Sequence, residues 1–477
     1  MITRLVLRRA TYYDSVALML ASRDAERVEG VDYVAAIAAT PVNLALIRDE
    51  GFELPGHLGP NDLVVAIRAS DEDAADAAQR IVEDLLSERV HPVSFGAVAV
   101  RPRSIRSAAR QVPDLNVAFV SVPGRFAANQ VAEAIASGLH VFCFSDGMSL
   151  KQEAELKRRA VDRGLLFLGA DCGTAIVDGI GFGFANVVSR GPVGIVGASG
   201  TGIQQVTCLL DAAGIGVSHA LGVGGRDLSA EVGGIMATHC VEILGKDPST
   251  DVIVVVSKPP DRGVAERIAR VAAGTGKRAV LGFLATEGKA QLPAAPGGVE
   301  IVASLEEAAA SAAQLMGGNV ALRDAAPPTR VTPGRIRGLF CGGSLCFEAA
   351  ATAASGDFID FGTDEYTVGR AHPMIDPTIR NDHFERVARD PRTGAVIVDV
   401  VLGLGAHPDP AAELAPLIET ALSARRHLSV VVSLCGTDRD PQSLVRQQSR
   451  LVQAGALVTR SAAHAGRLAR SATGGPS

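Results

Sequence analysis

Two glycine-rich turns in this chain carry the residues best suited to bind an anion. The first, GASGTG at 197–202, lies between the apolar strand VGIV and a helical stretch that begins near residue 203. The second, CGGSL at 341–345, follows another apolar strand and precedes the apolar helix FEAAATAA. Small residues let the backbone approach a ligand closely, and the free N–H groups at a helix start attract phosphate. Both turns are therefore candidate phosphate sites.

Six residues of these turns are the predicted phosphate ligands. They are Ser199, Gly200, Thr201, Gly342, Gly343 and Ser344. If both helix starts converge on one point, they would hold a phosphoryl group between them. A tight turn that only packs a helix on a sheet has the same glycine pattern, so each motif by itself leaves both interpretations open. The prediction depends on the two turns meeting in the fold.

His372 and His407 are the predicted catalytic residues. Each precedes a proline in a loop rich in Gly or Asp, where an imidazole that titrates near neutral pH serves as acid, base or nucleophile. The alternative is a surface or turn-stabilising histidine, because a loop histidine without an identified partner seldom catalyses. No metal site is predicted, since the seven cysteines are scattered and form no C-x-x-C pair.

The elements that must position these residues follow the pattern of an α/β protein. Residues 1–92 alternate strands and helices in a short β-α-β series, which predicts a ferredoxin-like α+β module. Beyond them, short apolar runs bounded by turn residues predict parallel sheets covered by helices, and this pattern begins three times. The predicted order is a truncated Rossmann domain at 93–190, a second doubly wound domain at 191–323, a linker at 324–335 and a flavodoxin-like domain at 336–477.

Length and charge narrow the expected partners. A chain of 477 residues is too long for one hydrophobic core and long enough for several domains. The net charge of −6 gives no electrostatic reason to expect nucleic acid or a membrane surface, which require clustered Lys and Arg. No apolar run reaches the roughly 18 residues that cross a bilayer, and the N-terminus lacks a secretion-signal pattern. We expect a cytoplasmic protein whose partners are small molecules and other proteins.

Four stretches resemble the succinyl-CoA synthetase superfamily. The segment NVAFVSVPGRFAANQVAEAIASGLHVFCFSDGMS resembles the second half of the CoA-binding domain of the α subunit, and VGIVGASGTG resembles the start of its ligase domain with the phosphate-facing helix. LFCGGSLCFEAA and VIVDVVLGLGAHPDPAAELAPLIETAL resemble the β-subunit carboxyl-terminal domain, which supplies the opposing helix. The resemblance covers roughly residues 114–470. A fusion of α-like domains to a β-type tail behind a small N-terminal module resembles the FdrA family.

This resemblance implies an enzyme subunit that handles acyl or carbamoyl phosphate, of the oxamate carbamoyltransferase type found in purine and allantoin catabolism. Phosphate or carbamoyl phosphate is the implied ligand, and the implied partners are other subunits of a hetero-oligomeric complex and further copies of the same chain. Two alternatives stay open. One is an ADP-forming acyl-CoA synthetase completed by a separate ATP-grasp subunit, and the other is a non-catalytic scaffold or metabolite-sensing subunit.

The chain departs from the ligase pattern in three places. It has no ATP-grasp domain, so ATP is not expected to bind this chain alone. FLATEGKAQLPAAPGG at 283–298 has no histidine where the ligases carry their phosphohistidine loop, and VVVSKPP at 254–260 lacks the glutamate found at that place. AVAVRPRSIRSAARQ at 97–111 replaces the glycine-rich CoA loop, which leaves CoA binding undecided. Transfer of an acyl or carbamoyl group to phosphate would account for the missing ATP-grasp domain.

Overall fold

The chain forms two compact units in the computed structural model. The structure describes residues 1–9, 11, 13, 15–56, 58–59, 62–88, 102–285, 295–320, 331–367 and 371–475. One unit comprises residues 1–101 with 368–371, and the other comprises 102–367 with 372–477. Most of the segment predicted to replace the phosphohistidine loop, and most of the predicted linker, lie outside the described residues. Across the described ranges, no helix has the length and hydropathy to span a membrane.

The first unit is an α+β module. Its elements are β1 (Ile2–Arg8), α1 (Ser15–Glu26), β2 (Val31–Ala38), α2 (Pro41–Asp49), β3 (Leu63–Ala69) and α3 (Glu72–Glu88). The sheet order is β1-β3-β2, and β3 runs antiparallel to both neighbours. A central strand inserted between the two strands of a β-α-β unit is the split β-α-β arrangement of ferredoxin-like folds. The predicted ferredoxin-like module is confirmed.

The second unit begins with a small parallel sheet. Its elements are α4 (Ile105–Gln111), β4 (Val117–Val120), α5 (Gly124–Ala136), β5 (His140–Cys143), α6 (Leu150–Val161) and β6 (Phe167–Leu168). The three strands pair in the order β4-β5-β6 and all run parallel. This sheet lies within the segment 93–190, where the sequence analysis predicts a truncated Rossmann domain.

A seven-stranded sheet follows in the same unit. Its elements are β7 (Thr174–Val177), β8 (Ile180–Gly183), β9 (Arg190–Ala198), α7 (Gly200–Ala212), β10 (Val217–Gly222), α8 (Ile235–Lys246), β11 (Val252–Ser257), α9 (Arg262–Gly274), β12 (Arg278–Phe283), β13 (Val299–Val302) and α10 (Leu305–Leu315). The strand order is β13-β12-β11-β9-β10-β7-β8. The antiparallel hairpin β7–β8 joins this sheet through β10. The strands β7 and β8, which lie in the segment 93–190, are therefore part of the sheet of the domain predicted at 191–323.

The third sheet of the chain's second unit is wholly parallel. Its elements are β14 (Arg335–Phe340), α11 (Gly343–Ala353), β15 (Asp357–Asp360), α12 (Asp364–Thr367), α13 (Thr378–Arg389), β16 (Thr393–Val401), α14 (Pro410–Ala424), β17 (Ser429–Cys435), α15 (Leu444–Gln453), β18 (Leu457–Thr459) and α16 (Ala462–Ala472). The order β15-β14-β16-β17-β18 is the flavodoxin-like order 2-1-3-4-5. The parallel core β9–β13 of the preceding sheet has the same order.

Both sheets consequently have a topological switch point, which is where ligands bind in open α/β sheets. In the middle sheet it lies between β9 and β11, and in the last sheet between β14 and β16. Apolar side chains of α7 and α11 belong to one continuous buried cluster, which includes Ile203 and Leu345. The two sheets thus share a core, and each glycine-rich turn lies at the switch point of its own sheet.

Candidate functional site

The helix α7 begins directly after the central strand β9. Ser199 is its N-cap residue, and the Ser199 Oγ accepts a hydrogen bond of 2.8 Å from the Gly202 N–H. A Cβ on Gly202 would lie 2.5 Å from that hydroxyl, so only glycine leaves room for this cap. The N–H groups of Gly200 and Thr201 lie in the first turn, where no carbonyl of the helix reaches them. They are available to an external acceptor.

The helix α11 is capped differently, by a carboxylate from the neighbouring strand. Gly342 is its N-cap residue and has no capping side chain. Instead Asp399 of β16 accepts hydrogen bonds from the N–H of Cys341 at 2.7 Å and of Gly342 at 2.8 Å. The buried Arg380 donates to the Asp399 carbonyl oxygen at 2.5 Å and lies 3.8 Å from its carboxylate. Burial raises the pKa of Asp399 to about 6, against the opposing effect of Arg380 and the two amides.

The two helix starts meet. The Ser199 Oγ donates a hydrogen bond of 2.6 Å to the Ser344 Oγ. A Cβ on Gly342 would lie 2.7 Å from the Thr201 Cγ2, so the backbone of one turn touches the side chain of the other. Further along the two helices, the Gln205 Nε2 of α7 donates to the Glu348 Oε2 of α11 at 2.8 Å.

The structure therefore brings the six predicted phosphate ligands together, but at different depths. Gly200, Thr201 and Gly343 are partly exposed, whereas Ser199, Gly342 and Ser344 are buried. The two serine hydroxyls are directed at each other, so their part is to join the helices. An anion from solvent would first meet the N–H groups of the three partly exposed residues.

Two charged side chains stand at the start of α11. Lys258 follows β11 and Asp360 ends β15. The Lys258 Nζ and the Asp360 Oδ2 lie 2.6 and 2.5 Å from the point where a Cβ on Gly343 would be. Burial raises the pKa of Asp360, while the Gly362 N–H, which donates to it at 2.9 Å, and the Lys258 ammonium lower that pKa. The stretch VVVSKPP at 254–260 was considered in the sequence analysis only because it lacks a glutamate, and no role was predicted for its Lys258. The signal for Lys258 was its place after β11, next to the switch point.

His372 lies beside this charged pair. Its Nε2 lies 2.9 Å from the point where a Cβ on Gly362 would be, and the Asp360 Oδ1 lies 3.1 Å from the same point. The His372 Nδ1 accepts a hydrogen bond of 3.2 Å from the Met374 N–H, which leaves the proton of the neutral ring on Nε2. Burial lowers the pKa of His372 to about 4. The ring is thus a neutral hydrogen-bond donor at pH 7.

The ring of His407 is held by the start of α14. Its Nδ1 accepts a hydrogen bond of 3.1 Å from the Asp409 N–H, and its Nε2 lies 3.4 Å from the Glu413 Oε1. The side chain is buried. Both ring nitrogens are engaged by neighbours in sequence, which favours the turn-stabilising interpretation for His407.

Three family models match the chain. The model described as CoA-ligase matches residues 339–472, the CoA binding domain matches 188–284, and the AllF heavy metal-associated domain matches 1–97. Together they define a protein of the CoA-ligase type behind a small N-terminal module. The CoA binding domain model matches residues of the seven-stranded sheet. The sequence analysis had instead assigned the resemblance to a CoA-binding domain to residues 93–190.

The chain is similar to individual curated relatives and to a solved structure. The chain is 35% identical over 514 residues to the uncharacterized protein YahF of Escherichia coli, with 98% of each chain covered. It is 28% identical to the α subunit of the ADP-forming succinate–CoA ligase of Aquifex aeolicus, over 34% of this chain and 59% of that subunit. A dinucleotide-forming acetyl-coenzyme A synthetase of Ca. Korarchaeum cryptofilum, solved with phosphate and ADP, covers 83% of this chain and 91% of its own at 16% identity and a TM-score of 0.37. The chain belongs to the FdrA family of succinyl-CoA synthetase-like proteins.

The donor set of the N-terminal module does not fit a heavy-metal site built on thiolates. Soft metals favour cysteine sulfur, and residues 1–97 contain no cysteine. Over the described part of the chain, no group of three or more His, Cys, Asp or Glu side chains is arranged to hold a metal ion. We derive no chemistry from a metal.

Proposed function

We propose that this chain binds inorganic phosphate, or an acyl or carbamoyl phosphate, between the starts of α7 and α11. On this proposal it transfers a carbamoyl group between phosphate and an acid amide, as a subunit of an oxamate carbamoyltransferase-type complex. The supporting observation is the convergence of two helix starts, each at the switch point of its own sheet, joined by the Ser199–Ser344 hydrogen bond. Converging N–H groups and dipoles favour an anion with several oxygens.

The transfer forms one bond and breaks one bond, and it requires no ATP. In one direction a phosphate oxygen attacks the carbamoyl carbon of N-carbamoyl-oxamate, and a new C–O bond forms. The bond from that carbon to the amide nitrogen breaks, and the nitrogen leaves with the electron pair and takes up one proton. The products are carbamoyl phosphate and oxamate. A chain without an ATP-grasp domain suits such an exchange.

The residues at the helix starts suit the separate tasks of this reaction. The N–H groups of Gly200, Thr201 and Gly343 would donate to phosphate oxygens, and the Lys258 ammonium would offset the phosphate charge. The His372 Nε2–H would donate to the carbamoyl oxygen as negative charge develops there. Asp360, which lies with Lys258 beside Gly343, would supply the proton to the leaving nitrogen.

Binding of phosphate tests the proposal directly. We expect phosphate and carbamoyl phosphate to raise the thermal midpoint of the full-length chain in a concentration-dependent manner. Lys258→Gln should raise the Kd for phosphate roughly tenfold or more, because a charge-assisted hydrogen bond is lost. Lys246→Gln, which removes an exposed lysine at the end of α8, is the matched control and should leave the Kd unchanged. Absence of stabilisation by either anion would contradict the proposal.

Activity gives a second test. The chain, alone and with its co-purified partners, is incubated with N-carbamoyl-oxamate and phosphate, and carbamoyl phosphate is followed by ³¹P NMR. Phosphate-dependent cleavage that is weakened by Lys258→Gln is the expected result. The control variant Lys246→Gln should retain full activity.

An acyl-CoA ligase completed by a separate ATP-grasp subunit is the second candidate. It is favoured by the CoA binding domain match at 188–284 and by relatives whose names describe ADP-forming CoA ligase subunits. Incubation with labelled ATP, CoA and a carboxylic acid separates the candidates. CoA-dependent thioester formation supports the ligase, and phosphate-dependent cleavage of N-carbamoyl-oxamate supports the transferase. Stabilisation by none of phosphate, carbamoyl phosphate, CoA and ATP supports a non-catalytic scaffold.

A further inference from the structure

A buried hydroxyl of β7 faces the start of α7. Thr174, the first residue of β7, is 1% exposed. Within the described ranges its Oγ1 makes no hydrogen bond. That Oγ1 is the atom nearest to the point where a Cβ on Gly200 would lie, at a distance of 3.5 Å. Buried hydroxyl groups almost always have a hydrogen-bond partner, and an oxygen of a ligand at the start of α7 would supply the one that the described residues do not.

The start of α7 is less crowded at Gly200 than the two helix starts are at the neighbouring glycines. A Cβ on Gly200 would meet no heavy atom closer than 3.5 Å. A Cβ on Gly202, Gly342 or Gly343 would lie 2.5 to 2.7 Å from a neighbouring side chain. Gly200, which is partly exposed and lies next to Thr174, is therefore the least crowded of these glycines.

We propose that the Thr174 hydroxyl donates a hydrogen bond to an oxygen of the bound phosphate and is its innermost ligand. The identity of the anion rests on the proposed function. The N–H groups of Gly200 and Thr201 donate to a second oxygen, so the phosphate lies closer to α7 than to α11. The Gly343 N–H and the exposed Lys258 approach a third oxygen, and the fourth carries the carbamoyl or acyl group.

This orientation defines the class of ligand. Donors approach the phosphate from Thr174, from the α7 amides, and from the side of Gly343 and Lys258, so three oxygens have a donor and one is left for a substituent. The site thus takes free phosphate or a monosubstituted phosphate. A phosphodiester, with two substituted oxygens, leaves one set of donors unpaired and binds weakly.

Thr174→Val tests the hydroxyl, because valine keeps the branched shape and lacks the donor. We expect the thermal midpoint without ligand to stay the same or to rise, since an unpaired buried hydroxyl is removed. The Kd for phosphate should rise roughly tenfold. Thr174→Ser retains the hydroxyl and should stay within roughly threefold of the natural chain. Dimethyl phosphate should give no stabilisation of the natural chain.

Thr393→Val is the matched control. Thr393 begins β16, is also 1% exposed, and its Oγ1 likewise has no partner among the described residues. Its replacement should leave the Kd for phosphate unchanged.

Equal phosphate binding by the natural chain, Thr174→Val and Thr393→Val would overturn the role of Thr174 and leave the proposed function standing. Loss of binding in Thr174→Ser as well as Thr174→Val would indicate a packing role and also overturn it. Failure of phosphate to stabilise the natural chain would instead contradict the proposed function, and tight binding of dimethyl phosphate would overturn the ligand class.

Discussion

The starts of α7 and α11 have similar glycine-rich sequences and occupy equivalent places in two sheets of the same strand order, yet they are built differently. At α7 the cap is the neutral hydroxyl of Ser199, from the helix's own turn. At α11 the cap is the buried carboxylate of Asp399, from the adjacent strand, supported by Arg380. Asp399 takes up two N–H groups and offsets the positive end of the α11 dipole.

This difference suggests that the two helix starts have different roles in the proposed site. The α7 start keeps its positive end and is less crowded at Gly200, which suits it to hold an anion. At the α11 start, Asp399 offsets the positive end of the helix dipole, and Lys258 and Asp360 lie close to Gly343. This end of α11 is suited to place charged groups next to that anion. Two turns that look alike in sequence are therefore expected to respond differently to substitution.

The largest expected effect is on the cap of α11. Asp399→Ala should lower the free energy of unfolding by about 3–5 kcal/mol, because Arg380 remains buried without its counter-charge. Urea unfolding followed by circular dichroism measures this. Glu385→Ala, which removes an exposed ion pair with Arg389, is the control and should have a much smaller effect. Equal effects of the two substitutions would mean that Asp399 is not essential to the α11 start.

A pH-dependent effect is expected where α11 faces α7. Glu348 is buried, and burial raises its pKa to about 7, compared with about 4.3 in an unfolded chain. The folded state therefore prefers the protonated acid, and this contribution to stability is present below about pH 4 and is lost as the pH rises to about 7. The stability advantage of the natural chain over Glu348→Gln should shrink by about 3 kcal/mol between these limits.

Urea unfolding of both chains at several pH values between 4.5 and 7.5 measures that change. Gln314→Ala, at an exposed position of α10, removes no titratable group; it serves as the control and should show a difference that does not vary with pH. A pH-independent difference for Glu348→Gln as well would show that the folded and unfolded pKa values of Glu348 are alike.

The smallest expected effect contrasts the two glycines directly. Gly200→Ala places a methyl group where no atom lies within 3.5 Å, so stability should hold while the Kd for phosphate rises roughly tenfold. Gly343→Ala would displace the ends of Lys258 and Asp360, which lie 2.6 and 2.5 Å from the added methyl group. Because Lys258 keeps its charge, the Kd should rise less than in Gly200→Ala, by roughly threefold. Isothermal titration with phosphate provides the measurement. The reverse ranking would place the anion at α11.

Much of the fold could be predicted because its signals are local. Short apolar runs such as Val252–Ser257 predict buried parallel strands, and the β-α-β series of the first unit predicts its split sheet. The sheet to which β7 and β8 belong could not be predicted, since pairing with β10 is a long-range contact. The two helix starts were visible as motifs, but their meeting depends on how two sheets pack. Thr174 gave no signal, because a hydroxyl without a partner is a property of the folded core alone.

The hydrogen bond between Ser199 and Ser344 joins residues that are 145 positions apart. Ser199 and Ser344 belong to different sheets, so the proposed anion site exists only while the seven-stranded and five-stranded sheets are docked. On the proposed function, an anion held there would bind the docked state and not the separated one, and by mass action it would stabilise the docking as its concentration rises above its Kd. Ligand concentration would thereby control the internal cohesion of this unit.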